Sequence, residues 1–398
     1  MGKSSGNWPS CLVIKLGTQV VIREDCQLEV GRLSDLVSEM VQLIRAGRSL
    51  LVVSSGAVGL GRAALRLTHG AGLDLIEKQA CAAVGQNLLM EFYRSAFGNH
   101  GISTAQVLLT ADDFSSRKRF LNLRSTLRKL LELGVVPVIN ENDTVSSAEL
   151  MEDQQSKSFG DNDRLSALVA GKLGADLLIL LTTVDGVFTD DPEKDPSARP
   201  IGLIDDFSVL TDVRTRGTSR RGRGGMAAKL AAARIASISG VETWVASGIR
   251  SRVLEKLLSL SPDFPFTRVL PSGKLSGKKQ WIGVSSGFRG VITINAGARS
   301  ALLHKKASLL PGGVVGVDGK FEAREIVSIQ DETRAEIGRG MVNYSARELG
   351  TLMGARSSEI ALKLGPKSDR SEFPAEVIHR NDLVLFSWDD GFRKEPEA

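Results

Sequence analysis

Four short polar clusters at the ends of apolar runs carry residue types suited to binding anions. Lys15 lies within the apolar run Val13-Ile14-Lys15-Leu16-Gly17 and is followed by Thr18. Ser54-Ser55-Gly56-Ala57 closes a second apolar run, Asn140-Glu141-Asn142-Asp143 a third, and Thr182-Thr183-Val184-Asp185-Gly186 a fourth. A lysine inside an apolar strand suits a functional cleft, although lysine is ordinarily a solvated surface residue. Ser54-Ser55-Gly56 also reads as a plain turn, and Asn140–Asp143 as a turn and helix cap.

Two further clusters sit where helices begin. Gly160-Asp161-Asn162-Asp163 opens a helix over Arg164–Leu173. Helix capping accounts for one of these carboxylates, but two aspartates and an asparagine in a row exceed what a cap needs. Close carboxylates repel unless they share a cation, so Asp143, Asp161 and Asp163 are candidates for organising cations. Gly222-Arg223-Gly224-Gly225-Met226 precedes an alanine-rich helix and places Lys229 in its first turns. A glycine loop feeding a helix exposes backbone N–H groups to an anion. Arg214, Arg216, Arg220 and Arg221 crowd just upstream, as a flexible basic loop or as phosphate attractors.

Other chemistries fit poorly. The sequence has no GxxxxGK[ST] phosphate loop. Gly59-Leu-Gly61-Arg-Ala-Ala64 matches GxGxxA, yet Ser54–Val58 separate it from the preceding strand, unlike a dinucleotide fingerprint. His69, His100, His304 and His379 are scattered, so no histidine metal site is expected. Cys11, Cys26 and Cys81 match no zinc spacing and read as buried free thiols. The net charge of +5 suits an anionic substrate and does not demand nucleic acid. Aromatic residues make up only 5% of the chain, which weakens a base-stacking reading. Met1–Ser10 holds one lysine and no apolar stretch of a signal peptide, and no run approaches the ~20 apolar residues of a bilayer span. A cytoplasmic protein with no membrane association is expected.

The elements that must position these clusters follow an alternating rhythm. Apolar runs at Cys11–Leu16, Leu50–Val53, Ala105–Leu109, Val135–Ile139, Asp176–Leu181 and Thr243–Ala246 read as buried strands. Helical spacing occupies Leu33–Ile44, Phe120–Leu133, Leu165–Leu173 and Met226–Ser237. This is an α/β chain: a three-layer sandwich with a mostly parallel central sheet covered on both faces. Ligands of such sheets bind beyond the carboxyl ends of the strands, where the four clusters fall together. With 398 residues the chain exceeds a single core. A first domain is expected over 1–260, and a linker over 261–288 containing Pro262, Pro265 and Pro271. A smaller mixed, β-rich domain is expected over 289–376, then a C-terminal segment and tail over 377–398.

The same clusters carry a resemblance. Val13–Thr18, Ser54–Ala57, Asn140–Asp143, Phe159–Leu168 and Gly224–Met226 with Lys229 resemble, in order, the glutamate 5-kinases of the amino acid kinase family. The last third is similar to a PUA domain, including Leu309–Gly312 and Gly338–Ser345, and Lys278–Ile282 resembles the connection between the two domains. The resemblance implies ATP-dependent phosphorylation of the glutamate side-chain carboxylate with Mg2+, the committing step toward proline. It implies feedback inhibition by proline and a homo-oligomer, dimer or tetramer. It implies catalytic roles for Lys15, Lys229 and Asp163. It implies glutamate contacts from Ser55, Asp143 and Asn162. It implies nucleotide contacts from Lys15, Thr182, Thr183, Arg223, Gly224, Gly225, Met226, Ala227, Ala228 and Lys229.

Two departures stand out: Thr182-Thr183 where the family commonly has Thr-Asp, and Arg223 where it has a small or hydroxyl residue. Both fall on the nucleotide side. Rival expectations are a kinase of the same fold acting on acetylglutamate, aspartate, carbamate or UMP, and an RNA-binding regulatory protein on an inactive kinase fold.

Overall fold

A computed structural model describes residues 9–67, 73–110, 113–114, 117–145, 162–192, 194–207, 225–272, 277–284, 288–365 and 373–385. The chain divides into two compact units, Met1–Lys274 and Leu275–Ala398.

In the first unit, β1 (Cys11–Leu16), apolar except for Lys15, is buried from Leu12 onward. It leads through α1 (Val30–Arg45) to β2 (Ser49–Ser54). Leu33, Leu36, Val37, Met40 and Val41 form the buried stripe of α1, at the spacing of a helix packed on a sheet. Next come α2 (Ala57–Ala64), α3 (Leu75–Gly98), β3 (Thr104–Leu109), α4 (Arg117–Glu132) and β4 (Val136–Glu141). α5 (Asn162–Leu173) then precedes β5 (Leu177–Thr182).

β6 (Val187–Phe188) and β7 (Pro200–Ile201) make a two-stranded ribbon. β8 (Leu203–Ile204), α6 (Met226–Ile238), β9 (Glu242–Ser247), α7 (Val253–Leu258) and β10 (Phe266–Val269) complete the unit. The strand order is β3-β4-β2-β1-β5-β9-β10-β8. β1 pairs in parallel with β2 on one side and β5 on the other. The chain therefore reverses its direction of winding at β1, the switch point where open α/β sheets bind ligands. The register aligns Lys15 with Val53 of β2 and Leu180 of β5. β10 pairs antiparallel with β9 and in parallel with β8, so these two strands run against the parallel set from β3 to β9.

The second unit is built on a five-stranded sheet, β12-β11-β13-β14-β15. Its strands are β11 (Gly290–Ile294), β12 (Val314–Gly319), β13 (Ile326–Asp331), β14 (Glu336–Met341) and β15 (Leu383–Leu385). Its helices are α8 (Gly277–Val284), α9 (Ala296–Lys305), α10 (Ala346–Leu352) and α11 (Ile360–Leu364). Ile292, Ile294, Leu309, Val327, Ile329 and Tyr344 belong to its own apolar core.

Three sequence expectations change. The stretch 261–288, expected as a linker, contains β10 and α8. β10 fits between Pro265 and Pro271 because four residues suffice to pair with β9, from Phe266↔Ala246 to Val269↔Thr243. The segment expected to follow the second domain from 377 supplies β15, which pairs Gly338↔Leu385 and Gly340↔Leu383 and belongs to that domain's sheet. Of the three thiols expected to be buried, Cys81 is, whereas Cys11 and Cys26 are half-buried. Cys11 occupies the first position of β1, and burial together with Asp176 pushes its thiol up to about 11.

Candidate active site

β1 delivers Lys15 one residue before its end, and α5 delivers Asn162 and Asp163 as its first two residues. Asp163 is fully buried, and both its oxygens face ammonium groups. Lys15 Nζ lies 2.5 Å from Oδ1, and Lys229 Nζ donates to Oδ2 at 3.1 Å. The lysines are only 4% and 7% exposed, so this cluster is a built feature and not a chance surface pairing. Burial by itself would push the Asp163 carboxyl up. The charges and hydrogen bonds of Lys15 and Lys229 outweigh it and hold the group below the ordinary carboxylate value. One buried carboxylate is thus shared between two ammonium groups.

Lys229 rides on α6, whose first residue is Met226. Gly225, in extended conformation, stands at its N-cap without a side-chain cap. Among the described residues no side chain caps the N–H groups of Met226 and Ala227 that open α6, the arrangement that suits phosphate oxygens. Thr182 ends β5, where its carbonyl accepts from Gly248 N–H at 2.7 Å, and Gly17 N–H reaches Leu181 O at 3.0 Å. These short links hold together the ends of β1, β5 and β9. Thr182 and Thr183 are half-buried at that edge. Ala227 and Ala228 lie in the first turn of α6. Arg223, Gly224, Asp161 and the arginines at 214–221 lie outside the described residues.

A second network begins one residue away. Asn162 Nδ2 donates to Ser55 Oγ and to Asn140 Oδ1, each at 2.9 Å, and more weakly to Ser54 O at 3.4 Å. Its own Oδ1 is buried with no hydrogen-bond partner among the described residues. A buried, unpaired amide oxygen fits a donor such as a substrate ammonium. Asp143 follows in the half-buried turn after β4. The structure thus brings Lys15, Lys229 and Asp163 together, and Ser55 with Asn162 beside them.

Sequence reasoning assigned no role to three residues of this network. Asn140 is buried and is the joint between Asn162 and Gln86, whose Oε1 accepts from Asn140 Nδ2 at 2.8 Å. Tyr93, fully buried, shares a 2.9 Å hydrogen bond with Ser54 Oγ. Gln86 and Tyr93 both come from α3, seven residues apart and therefore on one face. The glycines read as a GxGxxA decoy belong to α2. A Cβ on Gly61 would lie 1.8 Å from Cys81 O, and one on Gly85 1.8 Å from Ala57 O. Gly61 and Gly85 thus serve the close approach of α2 and α3. Gly56 adopts φ 104°, the left-handed turn that links Ser55 to α2.

Fold and site together define an α/β enzyme that handles anions at the carboxyl edge of a parallel sheet. The amino acid kinase family model matches residues 10–247, and a PUA domain model matches residues 290–363. A protein named glutamate 5-kinase from Gloeobacter violaceus is 42% identical over 380 residues, covering 94% of this chain and 99% of that one. A glutamate 5-kinase from Moorella thermoacetica is 41% identical, covering 94% and 96%, and one from Pseudomonas putida 42%, covering 94% and 97%. The chain belongs to the amino acid kinase family, among its glutamate 5-kinases, and carries a C-terminal PUA domain.

Proposed function

We propose that this protein transfers the γ-phosphoryl group of ATP to the side-chain carboxylate of L-glutamate, giving glutamyl 5-phosphate and ADP on the route to proline. The observation that carries this reading is the pair of lysines held on the two oxygens of Asp163, one residue from the Ser55–Asn162–Asn140 chain. An ionised carboxylate is already a nucleophile, so the chemistry requires no strong base. Catalysis is then positioning and charge stabilisation. In this reading Lys15 and Lys229 offset charge on the transferring group, and Asp163, paired with both, sets the spacing between them. The N–H groups that open α6 and the Thr182–Thr183 edge suit the nucleotide. Ser55, Asn162 and Asp143 suit glutamate, with Asn162 Oδ1 and the Asp143 carboxylate as acceptors for its α-ammonium.

Magnesium would enter with the nucleotide. Both Asp163 oxygens face lysines, and among the described residues no three histidine, cysteine, aspartate or glutamate side chains gather to hold a metal ion. Bound with the nucleotide, magnesium would supply charge neutralisation to the leaving phosphates. Proline inhibition, a homo-oligomeric state and a cytoplasmic location are further parts of this reading. Among the described residues no helix is long and apolar enough to cross a membrane.

The test is a panel of acceptors (glutamate, acetylglutamate, aspartate, carbamate and UMP) incubated with ATP, Mg2+ and hydroxylamine. Glutamate should yield a hydroxamate together with ADP, and proline should suppress both. ADP release with another acceptor and none with glutamate would overturn the assignment.

A further inference from the structure

Gln86 is 7% exposed, and its Nε2 has no hydrogen-bond partner among the described residues. An apolar residue would fill the same core position without stranding a buried donor, so stability alone does not explain a glutamine there. Its other end is engaged: Oε1 accepts from Asn140 Nδ2 at 2.8 Å. Asn140 in turn has a fixed polarity, because its Oδ1 accepts from the backbone N–H of Glu141 at 2.9 Å. That leaves Asn140 Oδ1 to accept from Asn162 as well, at 2.9 Å. The Asn162 amide is thereby turned so that Nδ2 points to protein acceptors and Oδ1 is the atom left over.

We infer that Gln86 is a positioning residue for the acceptor substrate, holding Asn140 and through it presenting Asn162 Oδ1 as a hydrogen-bond acceptor for a cationic group such as an α-ammonium. This rests on the glutamate reading above. The placement of Gln86 is rigid. Its neighbour Gly85 lets α3 close onto Ala57 O, at the start of α2. Tyr93, on the same face of α3, ties down Ser54 beside the substrate-side Ser55. α3 therefore holds the ends of β2 and β4 with two polar hooks, and Gln86 is the hook that reaches the Asn162 relay.

The test is a double-mutant cycle read by hydroxamate formation and ADP release. Gln86→Met should raise the glutamate KM by about tenfold, the size of one lost buried hydrogen bond, while the ATP KM changes less than about twofold. In an Asn162→Ala background the same substitution should add less than about twofold, because its route to the substrate is gone. A merely structural glutamine would shift both KM values or act equally in the two backgrounds, and either result overturns the inference. So does an unchanged glutamate KM in a folded Gln86→Met. Should that variant not fold, Gln86→Glu carries the test. It keeps an acceptor for Asn140 and should hold the glutamate KM within about threefold of wild type, and a folded variant with a larger rise overturns the inference. If wild type makes no hydroxamate from glutamate, it is the functional reading that fails. The cycle is then run with whichever acceptor of the panel yields ADP.

Discussion

Asp163 does at the residue scale what neither lysine does alone. Two ammonium groups this close would repel, and each would be costly to bury without a counter-charge. Replacing the carboxylate by an amide leaves two buried positive charges facing a neutral group. Asp163→Asn should therefore lower both turnover and thermal stability at neutral pH. The pH dependence follows from the depressed carboxyl. Its folded value lies below the unperturbed 3.8, so its stabilisation is complete above that value and is lost as pH falls through the depressed one. Thermal midpoints of wild type and Asp163→Asn should differ most above that pH and converge in acid, and a gap that widens in acid would contradict this. Lys229 is the second test at this scale. Lys229→Ala should lower kcat by about 10²–10³, the size of losing one transition-state charge stabiliser. Steady-state kinetics with saturating glutamate and ATP measures it, and wild-type turnover would remove Lys229 from the mechanism.

At the scale of elements, α5 carries the chemistry at one end and an unusual burial at the other. Its first two residues are Asn162 and Asp163, while Lys172 lies in its last turn, 8% exposed, with Nζ 5.0 Å from the Phe120 ring centroid on α4. Nζ has no hydrogen-bond partner among the described residues, and burial pulls its pKa from 10.5 down to about 8. Between those values the unfolded chain binds more protons, so this group makes stability rise with pH there. Lys172→Met, of similar length and apolar, should raise the thermal midpoint at pH 7 by a few degrees. The gain should shrink toward pH 10, as differential scanning calorimetry across pH would register. A midpoint lowered at pH 7 would contradict the account.

The elements also show what the sequence makes legible. The boundaries of β1 and the start of α6 follow from an apolar run interrupted by Lys15 alone and a glycine-led alanine helix. Lys15, Asp163 and Lys229 stand out because each is a charge set against an apolar or glycine-rich background. Gln86, Tyr93 and the bridging role of Asn140 do not stand out. Gln86 is one of several polar residues in a 24-residue helix, and its partner on β4 is 54 positions away, a pairing that exists only in the folded chain. Short β10 is hidden between prolines that read as linker.

The molecule as a whole is two units, each with an apolar core of its own: one around the eight-stranded sheet, one around the five-stranded sheet. Each core is drawn from residues of its own unit, so each unit is expected to unfold in a transition of its own. The calorimetric enthalpy of unfolding should therefore exceed the van't Hoff enthalpy, and equality of the two would contradict this. Mild positive charge over the whole chain agrees with anionic substrates. The central claim, that the side-chain carboxylate of glutamate attacks the γ-phosphorus, has a direct isotopic test. Glutamate labelled with oxygen-18 in that carboxylate is turned over with ATP and Mg2+, and hydroxylamine then cleaves the acyl phosphate at carbon. The account predicts that the released phosphate carries one oxygen-18 atom from glutamate in every turnover. Phosphate without the label would contradict it.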